Sequence, residues 1–189
     1  MIPEKKPWME RLLHPNALTL YRVAAVPLLI VLLLETPGRF MAFLAALVFS
    51  LAAITDFLDG YMARRMGLVS QFGKIMDPLA DKLLIASAFI MLVGLGWVEA
   101  WIVCVIIGRE LAITGLRSIL ASSGADVAAT RVAKWKTGFQ IGAVIPLLLH
   151  YPYLGLDFHR IGTWALWGAL ILTLWSGVDY VLRSRKLLL

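Results

Sequence analysis

Six apolar stretches alternate with short polar connections along the chain. They run from about Leu18 to Leu34, Phe40 to Ala63, Ile75 to Gly96, Ala100 to Leu120, Val132 to Leu149 and Ile161 to Leu182. Each is close to the roughly 20 residues that a helix needs to cross a bilayer. The connection after the first stretch, Glu35-Thr36-Pro37-Gly38, carries the residue types that stop helices. Ahead of them, Trp8 to Leu13 has the amphipathic character of a short interfacial helix, with Trp8 and Arg11 suited to a headgroup layer. The pattern predicts an all-α, polytopic membrane protein with six transmembrane helices. Residues 1–189 then form one domain, with 1–16 a cytoplasmic or interfacial segment and 17–183 the six-helix bundle.

Composition strengthens this expectation. The 189 residues are 60% hydrophobic and 16% charged, with a mean hydropathy of +0.82, whereas a soluble domain carries about a quarter charged residues. The net charge of +6 therefore points to membrane orientation and lipid phosphates, and not to nucleic acid. Lys5, Lys6, Arg11, Arg22, Arg64, Arg65, Lys74, Arg131, Lys134, Lys136, Arg183, Arg185 and Lys186 fall on one side of the six-span pattern. The other side has only Arg39 and Arg160, beside Glu35, Glu99 and Asp157. The positive-inside rule then places both termini, and the polar segment between spans two and three, in the cytoplasm of a cell-membrane protein. Met1 to Asn16 shows no cleavable leader, so the first span reads as a retained anchor. The single cysteine, Cys104, cannot form an intrachain disulfide and reads as a small buried hydrophobe.

The chemistry concentrates between spans two and three. Asp56 and Asp59 are three residues apart, and Asp77 and Asp81 are four apart; on helices both spacings put a pair on one face. Two helices joined by a turn over Gly60 to Lys74 can aim both pairs at one point. Four clustered carboxylates repel unless a cation intervenes, and an all-oxygen set suits Mg²⁺ or Mn²⁺. No histidine or cysteine stands nearby for zinc. Four carboxylates suffice for two ions, the arrangement that clamps a phosphoryl group. A solvated rim pairing with Arg64, Arg65, Lys74 and Lys82 accounts for either pair alone, but poorly for four aspartates with the residues between them.

That segment, Asp56-Phe-Leu-Asp59-Gly60-Tyr-Met-Ala63-Arg64, then Gly73, Asp77 and Asp81, resembles the signature of the CDP-alcohol phosphatidyltransferases at all eight positions. The resemblance implies that Asp56, Asp59 and Asp77 are metal ligands, and that Asp81 contacts metal and acts as general base. It places Gly60, Ala63, Arg64 and Gly73 against the CDP moiety. Small residues let a nucleotide approach the backbone, and an arginine can fork onto a pyrophosphate oxygen. Standing alone, Gly60 and Gly73 would read as a helix stop and a turn. Asn16, Thr19 and Arg22 are similar to the family's entry into span one and would join the CDP-lipid site. Asn16 serves equally as a helix cap, and Arg22 can instead snorkel to the interface.

The acceptor is read from the second half. Arg109, Glu110 and Arg117 lie within span four on one face with Ile113, and Lys134 and Lys136 open span five. Ionisable groups inside a membrane bundle are functional candidates, and together these cations would hold an acceptor phosphate. Ordinary anchoring accounts equally well for Lys134 and Lys136. For Arg109 the alternative is an ion pair with Glu110, although adjacent helix residues do not face each other. Arg109-Glu110, Leu116-Arg117, Lys134-x-Lys136-Thr137 and Leu172 to Tyr180 resemble the phosphatidylglycerophosphate-forming branch of the family. The resemblance implies CDP-diacylglycerol and glycerol 3-phosphate as substrates, membrane lipid as surroundings and a homodimer as assembly. Inositol phosphate, phosphatidylglycerol or serine would be rival acceptors. From another class, a small ion or proton transporter would use the aspartates as a conduction path, although they cluster at one face and no inverted repeat is visible. His14, His150 and His159 read as interfacial, and Trp164, Trp167 and Trp175 as packing or a lipid-facing surface.

Overall fold

The computed structural model describes residues 15–66, 71–122, 131–153 and 155–188, with side chains placed for 20–55, 79–122, 135–153 and 155–185. The fold is all-helical: α1 (Pro15–Leu33), α2 (Arg39–Met66), α3 (Gln71–Gly94), α4 (Ala100–Ser122), α5 (Arg131–Leu149) and α6 (Phe158–Leu188). These match the six apolar stretches to within a few residues, except that α6 runs on further at its C-terminal end. A short antiparallel hairpin, β1 (Pro152–Tyr153) with β2 (Leu156–Asp157), joins α5 to α6 and was not expected. The expected turn over Gly60 to Lys74 is much shorter, because α2 continues through Met66 and α3 restarts at Gln71. Gly60 and Gly73 therefore lie inside helices and stop neither. The segment Trp8 to Leu13 falls outside the described residues.

The chain forms two compact units, Met1–Met91 and Leu92–Leu189. In the first, α1 buries Arg22, Ala25, Val26, Leu29 and Leu33, which recur at helical spacing along one face. The facing surface of α2 is built from Ala42, Ala45, Ala46, Phe49 and Ala52. Alanines at successive turns allow the two backbones to approach closely, which is how helices pack where solvent supplies little drive.

In the second unit, α5 and α6 run antiparallel in close contact. A Cβ built on Gly162 would lie 2.6 Å from Leu147 Cγ and 2.8 Å from its backbone nitrogen, and one on Gly168 would lie 3.0 Å from the Phe139 ring. Helix α4 packs on α6 through Trp101 and Trp167, whose ring centroids are 5.7 Å apart. The end of α3 is closed by a Schellman arrangement. Gly96, at φ 70°, donates to Val93 O and Trp97 donates to Leu92 O, a conformation that glycine adopts without a Cβ penalty. This brings Trp97 flat onto His150, 3.8 Å between centroids, while His150 meets the His159 ring at 4.8 Å.

Apolar side chains cover the surface as well as the core, and a few polar ones are buried. Leu20, Val31, Phe40, Trp164 and Trp175 are all exposed, while Arg22, Lys136, Thr173 and Ser184 are buried. Trp164 and Trp175 are thus surface groups, whereas Trp167, half-exposed, also packs on Trp101. Cys104 corrects an expectation: it is exposed, because it lies on the outward face of α4, opposite the turn carrying Ile102, Val103 and Ile106. By length and composition, one helix among the described residues, over Phe158–Arg185, is long and apolar enough to cross a membrane. Helix α4 is interrupted by Arg109, Glu110 and Arg117.

Two stability predictions follow from this packing. Gly162→Ala pushes a methyl group into the backbone of α5 and should destabilise by about 1–3 kcal/mol. Gly142→Ala meets nothing within 4 Å and should be neutral or slightly stabilising in detergent unfolding. Burial holds the His150 imidazole below its ordinary value; His159 adds to this and Asp157 opposes it. A lowered pKa favours the neutral ring in the folded state. Stability should therefore be full above the unfolded value near 6.5 and fall as pH drops below it. The melting temperature should decline between pH 7 and 5, and less steeply in His150→Phe.

Candidate active site

In the first unit, the residues expected to act stand at the C-terminal end of α2 and the N-terminal end of α3. Asp56 and Asp59, three residues apart, lie in the last turns of α2, and Asp77 and Asp81, four apart, in the first turns of α3. The helical backbone that their spacing requires is therefore present at all four positions. The side chains of Asp56, Asp59, Gly60, Ala63, Arg64, Gly73 and Asp77, and of Asn16 and Thr19 on α1, lie outside the described side chains.

Asp81 is described, and its surroundings are informative. Arg22, buried on the core face of α1, donates from Nη1 to Asp81 Oδ1 at 2.5 Å. The Arg22 side chain is 1% exposed and that of Asp81 is 34% exposed. Arg22 therefore turns inward and does not snorkel. Only the fold reveals this contact, since 59 residues separate the two. Among the described residues no group of three His, Cys, Asp or Glu is placed to hold a metal. The four aspartates nevertheless supply an all-oxygen donor set on two helix ends, with Asp81 partly open, and this suits a hard divalent cation.

The second unit gathers the cations expected to meet an acceptor. Lys136, buried on α5, is bonded to Glu110 of α4. Arg109 Nη1 lies 3.5 Å from Glu110 Oε1, and its Nη2 donates to Ser176 Oγ on α6 at 2.9 Å. The Arg109–Glu110 pair thus forms despite adjacency on the helix, because both long side chains bend towards Lys136 and Ser176. The Arg117 guanidinium lies 5.6 Å from the centroid of the Tyr180 ring, a cation–π contact. Close approach of α4 to α6 is permitted by Gly177, where a Cβ would stand 3.2 Å from the Arg109 side chain.

Arg109 and Lys136 are therefore brought onto the same three-helix interior, whereas Arg117 is exposed and meets the buried Tyr180 ring from the surface. The Lys134 side chain lies outside the described part. Sequence reading missed the contributions of Ser176 and Tyr180. Their spacing of four on α6, on a face with Thr173 and Ser184 (all buried), is the signal that could have found them.

Comparison with known proteins accords with this arrangement. The family model described as CDP-alcohol phosphatidyltransferase matches residues 12–175. A Bacillus subtilis protein named CDP-diacylglycerol–glycerol-3-phosphate 3-phosphatidyltransferase is 44% identical over 181 residues, covering 90% of this chain and 94% of that protein. Proteins of the same name from Rickettsia bellii and Shigella flexneri are 40% and 36% identical, covering 91% and 93% of this chain and 95% and 96% of theirs. The aspartate-bearing helix pair lies wholly within the matched segment, and the chain belongs to the CDP-alcohol phosphatidyltransferase family.

Proposed function

We infer that this enzyme transfers the phosphatidyl group of CDP-diacylglycerol to glycerol 3-phosphate, giving phosphatidylglycerophosphate and CMP. The observation that carries the acceptor is the pair of cations Arg109 and Lys136 within the second unit, with Arg117 exposed beside Tyr180. Relatives named for that acceptor, at 36–44% identity over nearly the whole chain, support the same reading. A phosphate-bearing acceptor complements such a cluster, whereas serine brings no phosphate.

In the reaction, an acceptor hydroxyl oxygen forms a bond to the phosphorus of the phosphatidyl group, and the bond from that phosphorus to the CMP phosphate oxygen breaks. Asp81 accepts the hydroxyl proton, and Arg22, hydrogen-bonded to Oδ1, orients that carboxylate. Gly60, Ala63, Arg64 and Gly73, with Asn16 and Thr19, line the CDP-lipid. Asp56, Asp59, Asp77 and Asp81 would hold Mg²⁺ or Mn²⁺, two ions in all, which supply charge neutralisation at the pyrophosphate. Arg109, Arg117, Lys134 and Lys136 hold the acceptor phosphate. Glu110 holds Lys136 and Arg109 in position, a counter-charge for buried cations until a phosphate shares them.

The six helices would cross the cell membrane with both termini and the active site cytoplasmic. Support comes from the outward-facing leucine, phenylalanine and tryptophan of each unit, more apolar surface than a water-soluble bundle exposes. The cation asymmetry of the connections gives the orientation. A homodimer within this lipid environment, with 1–189 acting as one catalytic domain, completes the reading. The family match spans residues of both compact units.

Purified protein with CDP-diacylglycerol and Mg²⁺ should release CMP with glycerol 3-phosphate, and not with serine, inositol phosphate or phosphatidylglycerol. Asp81→Asn should lower kcat by at least about 100-fold, the usual contribution of a general base. Turnover with another acceptor only would overturn the acceptor assignment. Absence of CMP with all of them would overturn the transferase reading in favour of transport. Lys136→Met should raise KM for glycerol 3-phosphate about tenfold or more, the loss of one charge-assisted contact, while KM for CDP-diacylglycerol stays unchanged.

A further inference from the structure

The cationic cluster has a neutral polar neighbour that binding a phosphate does not explain. Gln140 follows Lys136 by one turn of α5, and Thr173 precedes Ser176 by three residues on α6. The two helices are antiparallel, with Leu147 against Gly162 and Phe139 against Gly168. Moving from Lys136 to Gln140 and from Ser176 to Thr173 therefore leads in the same direction, towards the β1–β2 hairpin. Gln140 thus lies one turn nearer the hairpin than Lys136, and Thr173 nearly one turn nearer than Ser176, about level with Lys136.

Gln140 is 3% exposed and Thr173 is 0% exposed. Among the described residues, Gln140 Nε2 and Thr173 Oγ1 are both buried without a hydrogen-bond partner. This is costly for an amide or hydroxyl in an apolar bundle, at about 1–3 kcal/mol for each unsatisfied group. It is also avoidable. A buried helical threonine ordinarily bonds back to a carbonyl one turn earlier, as Thr114 does to Glu110 O, Thr163 to His159 O and Ser184 to Tyr180 O. Thr173 makes no such bond. Leucine and valine would fill the same volumes without the cost.

We propose that Gln140 and Thr173 bind the hydroxyl of the acceptor that does not react, making the site selective for a polyol phosphate over a phosphate ester with one hydroxyl. The inference rests on the placement of the acceptor phosphate at Arg109, Arg117 and Lys136. An acceptor anchored there by its phosphate has one hydroxyl to present for attack. A second hydroxyl on the same short carbon chain needs a donor and an acceptor of its own. An amide and a hydroxyl provide both and stay neutral, so they do not compete with the cations for the phosphate. A site built to pair a substrate hydroxyl rejects the analogue lacking it, because its own polar groups are then left unpaired.

The test compares glycerol 3-phosphate with 3-hydroxypropyl phosphate, which keeps the phosphate and one primary hydroxyl but lacks the second. CMP release would be measured for both acceptors with the full-length protein and with Gln140→Leu, Thr173→Val and Thr173→Ser. The native protein should prefer glycerol 3-phosphate by about tenfold or more in kcat/KM, the size of one or two neutral hydrogen bonds. Gln140→Leu and Thr173→Val should lose activity with glycerol 3-phosphate but not with the analogue, bringing the ratio towards one. Thr173→Ser should restore it. Equal losses with both acceptors, leaving the ratio unchanged, would make the two residues merely structural and overturn the proposal. So would a native ratio near one. Native protein that turns over neither acceptor would instead defeat the reading of the acceptor itself, and this proposal with it.

Discussion

A charge buried among apolar helices persists only if an opposite charge is brought within reach, since an unpaired ion in such surroundings loses its hydration without compensation. Both compact units are organised around that requirement. In the first, Arg22 sits on the same buried face of α1 as Ala25 and Leu29, and the carboxylate it needs comes from Asp81 on α3. In the second, Glu110 of α4 meets Lys136 of α5 and Arg109 beside it, and Arg109 reaches on to Ser176 of α6. Each set of contacts joins helices that are distant in sequence.

The same requirement separates structural from reactive polar groups. Hydroxyls with no chemical task are satisfied within their own helix, as at Ser50, Thr55, Thr114 and Ser184. In the second unit Ser176 is bonded in the same way, but Arg109 Nε, Gln140 Nε2, Thr173 Oγ1 and Tyr180 OH are buried without partners among the described residues, as are the Nδ1 atoms of His150 and His159 at the hairpin end. A buried polar atom left unpaired asks for an explanation wherever it stands. Close packing elsewhere, at Gly162 against Leu147 and Gly168 against Phe139, holds that interior in register.

The division of labour suits phosphatidyl transfer. On the proposed reading, an acidic helix pair would attract divalent cations and through them a pyrophosphate, while a basic interior would attract a phosphorylated alcohol. A counter-charge stands beside the principal group in each unit: Glu110 against Lys136 and Arg109, and Arg22 against Asp81.

The sequence by itself determined the helices, because an apolar run of about 20 residues has few other ways to satisfy its backbone, and their limits were read to within a few residues. It also determined the family, through eight residues at fixed spacing from Asp56 to Asp81, and it pointed to Arg109, Arg117 and Lys136 because charges are conspicuous in apolar surroundings. The β1–β2 hairpin was not legible, since two-residue strands leave no periodicity. Nor was the outward face of Cys104, because an apolar run all round a helix does not reveal which side meets the core. Only the tertiary structure decided which groups pair. Arg22 with Asp81, Arg109 with Ser176 and Glu110 with Lys136 are separated by 59, 67 and 26 residues. Helical periodicity carries information over a few turns, whereas partner choice across helices depends on how their surfaces pack.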